Sequence, residues 1–470
     1  MNREENEHLD GSESTQLSQS ARNFENMLHN NESHYLDEVT YESLSNFYLD
    51  TQQWELAQKA CQLGLQQHPY SLELLLNSAQ LRVNEMDYDE AMEFLEKAAT
   101  FYPSDEEVVY MKGVVFNLLG EHDNALELLN LALSVTDDPS EVYFQMAQTY
   151  QNMDKLELAV EHYKLAVEHG FNNELAYYEL VFCLDLEDKL KENLPYLREL
   201  TDNDPYSYLA WFCLGIACSR LSMYDQAAKA FDFSVVIKED FASGWFNLGH
   251  SYMNLEDHQM AKEAYLKTVQ YEKPTAEVLT YIGASYEKLE EFTSAYKYYK
   301  KATELDENWE DAWFGMASAL YETEKYFEAI HFIKKATKIN ELNADFWLLQ
   351  ADIEGRLGNY LSSLEAYNQA ATLDPENPDI WLNWSLLYYE QEDYSKAFEI
   401  IYEGLLELPK EADLYYRAVV YLVYDHSYNE AYKYLQDALS LDFKGHEQIF
   451  NFFPNLTTQK ALHRIIEQYR

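Results

Sequence analysis

Apolar side chains recur along most of the chain as pairs of helical stripes, each pair split by a short polar bend. In "GWFNLGHSYMNLEDHQMAKEAY", Trp245, Leu248, Gly249 and Tyr252 stand at i, i+3, i+4 and i+7, one face of a first helix. Ala261, Tyr265 and Thr268 form the matching face of a second, and "LEDHQ" is the bend between them. Stepping by 34 residues from Ala261 reaches Ala295, Ala329, Ser363, Ala397 and Ala431 forwards, and Ala227, Asn193, Ala159, Ala125, Ala91 and Ala57 backwards. Ten of these twelve positions are Ala, so the stripes belong to an internal repeat. The frame runs without a gap over 38–445, as twelve units of 34 residues starting at 38, 72, 106, 140, 174, 208, 242, 276, 310, 344, 378 and 412.

Other columns of the repeat agree. Position 4 is large, from Tyr41 through Trp211, Trp245, Trp313, Trp347 and Trp381 to Tyr415. Position 8 is mostly small (Gly113, Gly215, Gly249, Gly283, Ala317), as is position 27 (Gly64, Ala98, Ala302, Gly404). Small residues at fixed places let paired antiparallel helices approach closely while large ones fill the space beside them. Pro69, Pro103, Pro205, Pro375 and Pro409 at position 32 mark where the chain leaves one unit for the next. The pattern predicts an all-α protein of helix-turn-helix units.

Residues 245–252 satisfy Trp-x-x-Leu-Gly-x-x-Tyr, and with the later Ala and aromatic positions the repeat resembles the tetratricopeptide repeat (TPR) family over about 87% of the chain. The layout is similar to bacterial proteins built of such repeats alone. The resemblance implies a right-handed α-solenoid with a concave groove that holds other proteins, and leaves the partner to variable residues.

Composition narrows this. The 83 Asp+Glu against 34 Lys+Arg leave a formal net charge of −49, yet 47% of residues are hydrophobic, so the chain is not an acidic disordered tail. Such a charge opposes nucleic acid and anionic lipid, and favours neutral or basic protein partners. Gly and Pro are scarce, at 14 and 10. Cys61, Cys183, Cys213 and Cys218 lack paired spacing and read as buried thiols of a reducing compartment, here the cytoplasm. The start "MNREENEHLD" is unlike a secretory signal, and no apolar run is long enough to span a membrane.

Residues 1–37 are expected to be acidic and largely disordered, with a short helical turn at 21–28. At 446–470, Leu462, Ile465, Ile466 and Tyr469 form an amphipathic stripe that either caps the array or docks a partner. The fifth unit breaks the pattern: Asn193 replaces the Ala, Leu200 enters a small column, and Pro195 falls within the second helix. A kinked or shortened helix is expected there, and a hinge is the alternative.

No phosphate-cradling loop, HExxH or Gly-x-Ser-x-Gly motif is present, and His162 and His169 read as surface residues. Catalytic, metal and cofactor sites are therefore not expected. Positions 4, 7, 8 and 11 share one arc of each first helix, and positions 2, 5, 9, 12 and 13 share another. The first arc packs, which leaves the second for a binding groove. There position 5 reads Tyr110, Phe144, Tyr178, Phe212 and Phe246, flanked by Phe182 and His250 at position 9 and by Asn117, Asn152, Arg220 and Asn254 at positions 12 and 13. An aromatic stripe beside amides suits an extended peptide; the alternative is that the rings shield the neighbouring core. Family members that hold acidic chaperone tails use Lys at position 5 with Asn at position 9. Here no position 5 is Lys, and Asn46 follows Glu42, so that ligand is not expected. The reading is a non-enzymatic interaction scaffold, with a regulator controlled by groove occupancy as the alternative.

Overall fold

The computed structural model describes residues 19–30, 34–452 and 460–469, without the side chains of residues 451 and 452. Among the described residues there are helices and no strands, as expected of an α-solenoid. The chain divides into two compact units, Met1–Ile237 and Lys238–Arg470. In the N-terminal unit, α1 (19–29) precedes six helix pairs. These are α2 (Glu38–Asp50) with α3 (Trp54–Gln67), α4 (Leu72–Asn84) with α5 (Tyr88–Phe101), α6 (Glu106–Leu118) with α7 (His122–Val135), α8 (Ser140–Asn152) with α9 (Leu156–Glu168), α10 (Glu174–Leu186) with α11 (Leu190–Asn203), and α12 (Tyr208–Arg220) with α13 (Tyr224–Ile237). The C-terminal unit holds α14 (Ala242–Asn254) with α15 (His258–Tyr271), α16 (Ala276–Lys288) with α17 (Phe292–Leu305), α18 (Glu310–Glu322) with α19 (Tyr326–Ile339), α20 (Ala344–Arg356) with α21 (Tyr360–Leu373), α22 (Pro378–Glu390) with α23 (Tyr394–Glu407), and α24 (Ala412–Tyr424) with α25 (Tyr428–Leu441). A 3₁₀ turn then leads to α26 (Glu447–Phe452), and α27 (Lys460–Tyr469) ends the description.

Local chemistry sets the ends of these helices. Many first helices are capped by the last residue of the preceding repeat: the side chains of Ser71, Asp105, Ser207, Thr275, Asn343 and Asn377 accept a backbone N–H of the first turn. The bend after each first helix places repeat position 15 in the left-handed region, at φ +60° for Glu290 and φ +62° for Met86. The following N–H then closes back five residues, as Asp257 does onto the Tyr252 carbonyl at 2.9 Å. Only Gly120 and Gly358 meet this backbone demand with glycine.

The Trp column ties each repeat to its approach loop. The indoles of Trp211, Trp245, Trp313, Trp347 and Trp381 each donate to the carbonyl six residues earlier, at 2.8–3.0 Å. The small column at position 8 has a more specific reason than backbone approach. A Cβ on Gly249 would lie 2.6 Å from the Tyr265 ring, and Gly215 and Gly283 stand equally close to Phe231 and Tyr299. The ring at position 24 of the second helix packs directly against the glycine of the first.

Three irregular places depart from expectation or sharpen it. Residues 1–18 lie outside the description, but residues 19–29 form a full helix where disorder and one turn were expected. Ala21, Phe24 and Met27 bury one face of it against Tyr41, Leu44 and Tyr48; the segment caps the first pair, because an end repeat has an apolar face with no neighbour. At the other end Leu462 and Ile466 are buried with Leu435, Leu439 and Ile449, while Tyr469 stays exposed. In the fifth repeat α11 is 14 residues long despite Pro195, so it is not shortened. It stands off from α10, and α10 packs instead on α12, where the buried Cys213 thiol reaches the Tyr177 carbonyl at 3.6 Å. All four cysteines are buried free thiols.

Candidate binding grooves

Several concavities lie along the first helices, and another of about 400 Å³ is lined by α3, α4 and α5. In the N-terminal unit a cavity of about 410 Å³ opens across α6, α8 and α10. Its wall is Asn117, Gln145, Gln148, Gln151, Asn152 and Glu179, with Tyr163 beneath. Polar groups of the wall are tied together: Asn152 donates to Asn117 at 3.2 Å, Gln151 donates to the Glu179 carboxylate at 2.8 Å, and the Tyr163 hydroxyl donates to Gln151 at 2.6 Å. The His122 ring meets the same Asn117 oxygen at 3.0 Å. Amides held this way present both donors and acceptors at fixed places, as pairing with a peptide main chain requires.

The aromatic residues of position 5 do not line this wall as one open ladder. Phe144 is 5% exposed and Phe212 is 2% exposed. Each leans on the position-24 ring of its own pair: Phe144 on Tyr163 at 5.8 Å, Phe212 on Phe231 at 5.8 Å, and Phe246 on Tyr265 at 5.9 Å between centroids. Position 5 therefore does not point away from the helix-pair interface; it covers the outer side of the ring whose inner side covers the glycine. Phe144 also meets Phe171 of the following loop at 4.8 Å. Tyr178 is 40% exposed, in the irregular repeat that carries Leu197 where these others have a ring. Tyr110 and Phe182 are half-buried, and burial, then Glu141, pushes the Tyr110 phenol well above its ordinary range. Arg220 is exposed, 3.9 Å from Asp185.

In the C-terminal unit, Phe246 and His250 join Tyr265 and Tyr281 in a cluster of rings. His250 lies 4.4 Å from Tyr281 and 4.5 Å from Phe246. Burial pushes its imidazole down to about 4. Asn254 turns back to the His250 carbonyl at 2.8 Å. These three residues share no cavity with Asn117 and Asn152; the two sets lie in different units.

A larger concavity, about 740 Å³, is lined by α22, α24 and α26. Asp379 and Asp413 stand at position 2, Leu382 and Tyr416 at position 5, Leu386 and Val420 at position 9, and Tyr389, Glu390 and Tyr424 at positions 12 and 13. Asn383 and Arg417 come from position 6, and Gln448 and Ile449 of α26 close one end. Beside it a pocket of about 90 Å³ holds Asp352, Arg356 and Tyr367. Asp352 accepts from the Tyr367 hydroxyl and, at 3.3 Å, from Asn383; burial nevertheless pushes its carboxyl up to about 6. The outward arc read on to repeats 10–12 finds most of these residues in the sequence. The end wall gives no such signal, because α26 lies outside the repeat frame.

Among the described residues no group of three or more His, Cys, Asp or Glu is placed to hold a metal ion. Nor is any described helix long and apolar enough to cross a membrane.

Comparison with known proteins agrees with the helix-pair architecture. Residues 72–105, 140–168, 242–273 and 276–308 match the family described as tetratricopeptide repeat, and residues 351–392 match that described as TPR repeat. The TPR repeat-containing protein YpiA of Bacillus subtilis (strain 168) is 23% identical over 164 residues, 35% of this chain and 39% of that protein's length. The chain thus spans well under half of that relative. Three crystal structures are similar. The APC/C hetero-tetramer Cut9–Hcn1 matches with TM-score 0.40 and 16% identity over 82% of this chain and 96% of that one. YrrB, described as a TPR protein with an unusual peptide-binding site, matches with TM-score 0.34 and 18% identity over 39% and 95%. MamA matches with TM-score 0.33 and 17% identity over 34% and 94%.

Proposed function

Since the chain belongs to the tetratricopeptide-repeat family, we propose that it is a non-enzymatic interaction scaffold that holds extended polypeptide segments on the outward arcs of its first helices. One observation carries this reading. Repeat positions 6, 9, 12 and 13 line a concavity in each unit, although the residues at those positions differ. Packing requires the inward arc to stay uniform from repeat to repeat. Position 5 of the outward arc is also held by packing, as Phe144 and Phe212 are, whereas position 9 varies in type, as Gln148 and Leu386 do, and is open to shaping for a ligand.

The two concavities suit different segments. The amides around Gln148 suit a main chain with small or polar side chains. The rings and carboxylates around Leu386 suit a segment with a neutral or basic side chain, since Asp379, Glu390 and Asp413 outnumber Arg417 on that wall. Photo-crosslinking amino acids at Gln148 and at Leu386, with the exposed outer-face residue Asp225 as control, test this in native extract. Adducts with a partner are expected from the first two. Adducts from Asp225 alone would overturn the reading.

A further inference from the structure

In a chain of net charge −49, two successive second helices reverse the sign. α17 carries Lys297, Lys300 and Lys301 against Glu304, and α19 carries Lys334, Lys335 and Lys338 against Glu328. Apart from α15 just before them, no other second helix has more bases than acids. All six lysines are exposed. The two helices are neighbours, joined by Tyr296 of α17 and Phe332 of α19 at 6.2 Å. Their inner residues, Ala295, Tyr299, Ala329 and Ile333, are buried in the pairs, so the lysines occupy the faces that packing leaves over.

A second departure coincides with the first. Repeat position 18 is polar in ten repeats but is Phe327 in α19 and Leu361 in α21. These side chains are 86% and 79% exposed. At about 100° per residue, Phe327, His331, Lys334 and Lys338 fall on one narrow stripe of α19. Apolar side chains this exposed cost solubility without stabilising the fold, and Phe327 stands on the cationic stripe itself.

We propose that the outward faces of α17 and α19, extended by Leu361, are a docking surface for an acidic amphipathic polypeptide segment, separate from the concave grooves. Charge complementarity selects the acidic character. Lys297 and Lys338 have no ion pair among the described residues, and Lys335 lies 4.1 Å over the Trp313 ring with no carboxylate partner there. Phe327 and Leu361 select an apolar stripe on the same segment. A long polyanion such as RNA, or an anionic bilayer, extends beyond these helices onto the acidic remainder of a chain of net charge −49, so a short segment is favoured.

The test uses the full chain and a fluorescent synthetic helical peptide of glutamate bearing one leucine stripe, read by anisotropy. Binding is expected, weakening as salt rises. Lys297→Gln with Lys335→Gln and Lys338→Gln should lower affinity about tenfold, since each removes one exposed cation facing the acidic segment. Phe327→Ser with Leu361→Ser should lower it while leaving the circular dichroism melt unchanged, because both side chains are exposed. Absence of binding, or equal binding by both variants and wild type, overturns the proposal. So does equal binding of leucine-free polyglutamate, which would leave charge as the sole determinant. Tighter binding of single-stranded RNA or phosphatidylserine vesicles than of the peptide would assign the surface to another class of partner.

Discussion

Gln148 and Leu386 are each the ninth residue of a repeat. One stands in a concavity walled by amides, two of which, Asn117 and Asn152, hydrogen-bond each other, and the other stands among tyrosines and carboxylates with a helix closing the end. The helix-pair frame around them is alike. In the N-terminal unit the Gly215 backbone lies beneath Phe231, and in the C-terminal unit Gly249 lies beneath Tyr265, with the same closeness. The frame depends on contacts inside a pair, which every repeat must make. The groove walls differ from unit to unit, although some of their residues, such as Tyr163, Tyr416 and Val420, are also buried in the core. The contrast also separates rings that belong to the frame from rings that belong to the groove. Position 5 lies on the outward arc, yet in Phe144 and Phe212 it holds frame rings.

The largest expected effect tests that assignment. Phe212→Ala should destabilise the N-terminal unit by about 3–5 kcal/mol, as loss of a buried phenylalanine does. Tyr178→Ala, at an exposed ring, should cost about 1 kcal/mol or less. Because repeats depend mainly on their neighbours, hydrogen exchange read by mass spectrometry should show the Phe212 loss concentrated in α12 and α13. A comparable cost for both substitutions would place the two rings in one class and break the contrast.

Next comes a pH dependence particular to the C-terminal unit. His250 is held down to about 4 by burial, against 6.5 ordinarily, so below 6.5 the unfolded chain takes up more protons than the folded one. Its contribution is complete above 6.5 and is lost as pH falls towards 4, by about 3 kcal/mol at most. Asp352 works in the opposite sense. Its carboxyl is raised from 3.8 to about 6, so its share of stability is present below 3.8 and is lost as pH rises through 6. Thermal melts between these values should therefore lose slope in opposite directions for His250→Phe and Asp352→Asn. Parallel changes would show that one of the two burials is misassigned.

The smallest effect belongs to the shared frame. Met86 and Glu290 take the left-handed bend without being glycine, at φ +62° and φ +60°, one in each unit. Met86→Gly and Glu290→Gly should each stabilise by about 1 kcal/mol or less, and by similar amounts, because the relieved crowding is the same backbone contact. Opposite signs in chemical denaturation would mean that the bends differ between units.

The period, the helix pairs, the indole column and the small columns are determined by the sequence alone, because each is a local or one-repeat-away relation that recurs with the frame. Asn117 and Asn152 share one concavity wall for the same reason: their arc follows from helix geometry. Which rings stay open was decided by tertiary structure. Phe212 is covered because Phe231 stands at position 24, Phe144 because Phe171 folds back from a loop, and Tyr178 is left open in a repeat where α11 stands away from α10. The ends were decided the same way. Residues 19–29 gain their helix by covering Tyr41 and Tyr48, and α26 shapes a groove wall from outside the repeat. A residue's own type sets what it contributes when buried, but its burial is a property of the neighbours that reach it.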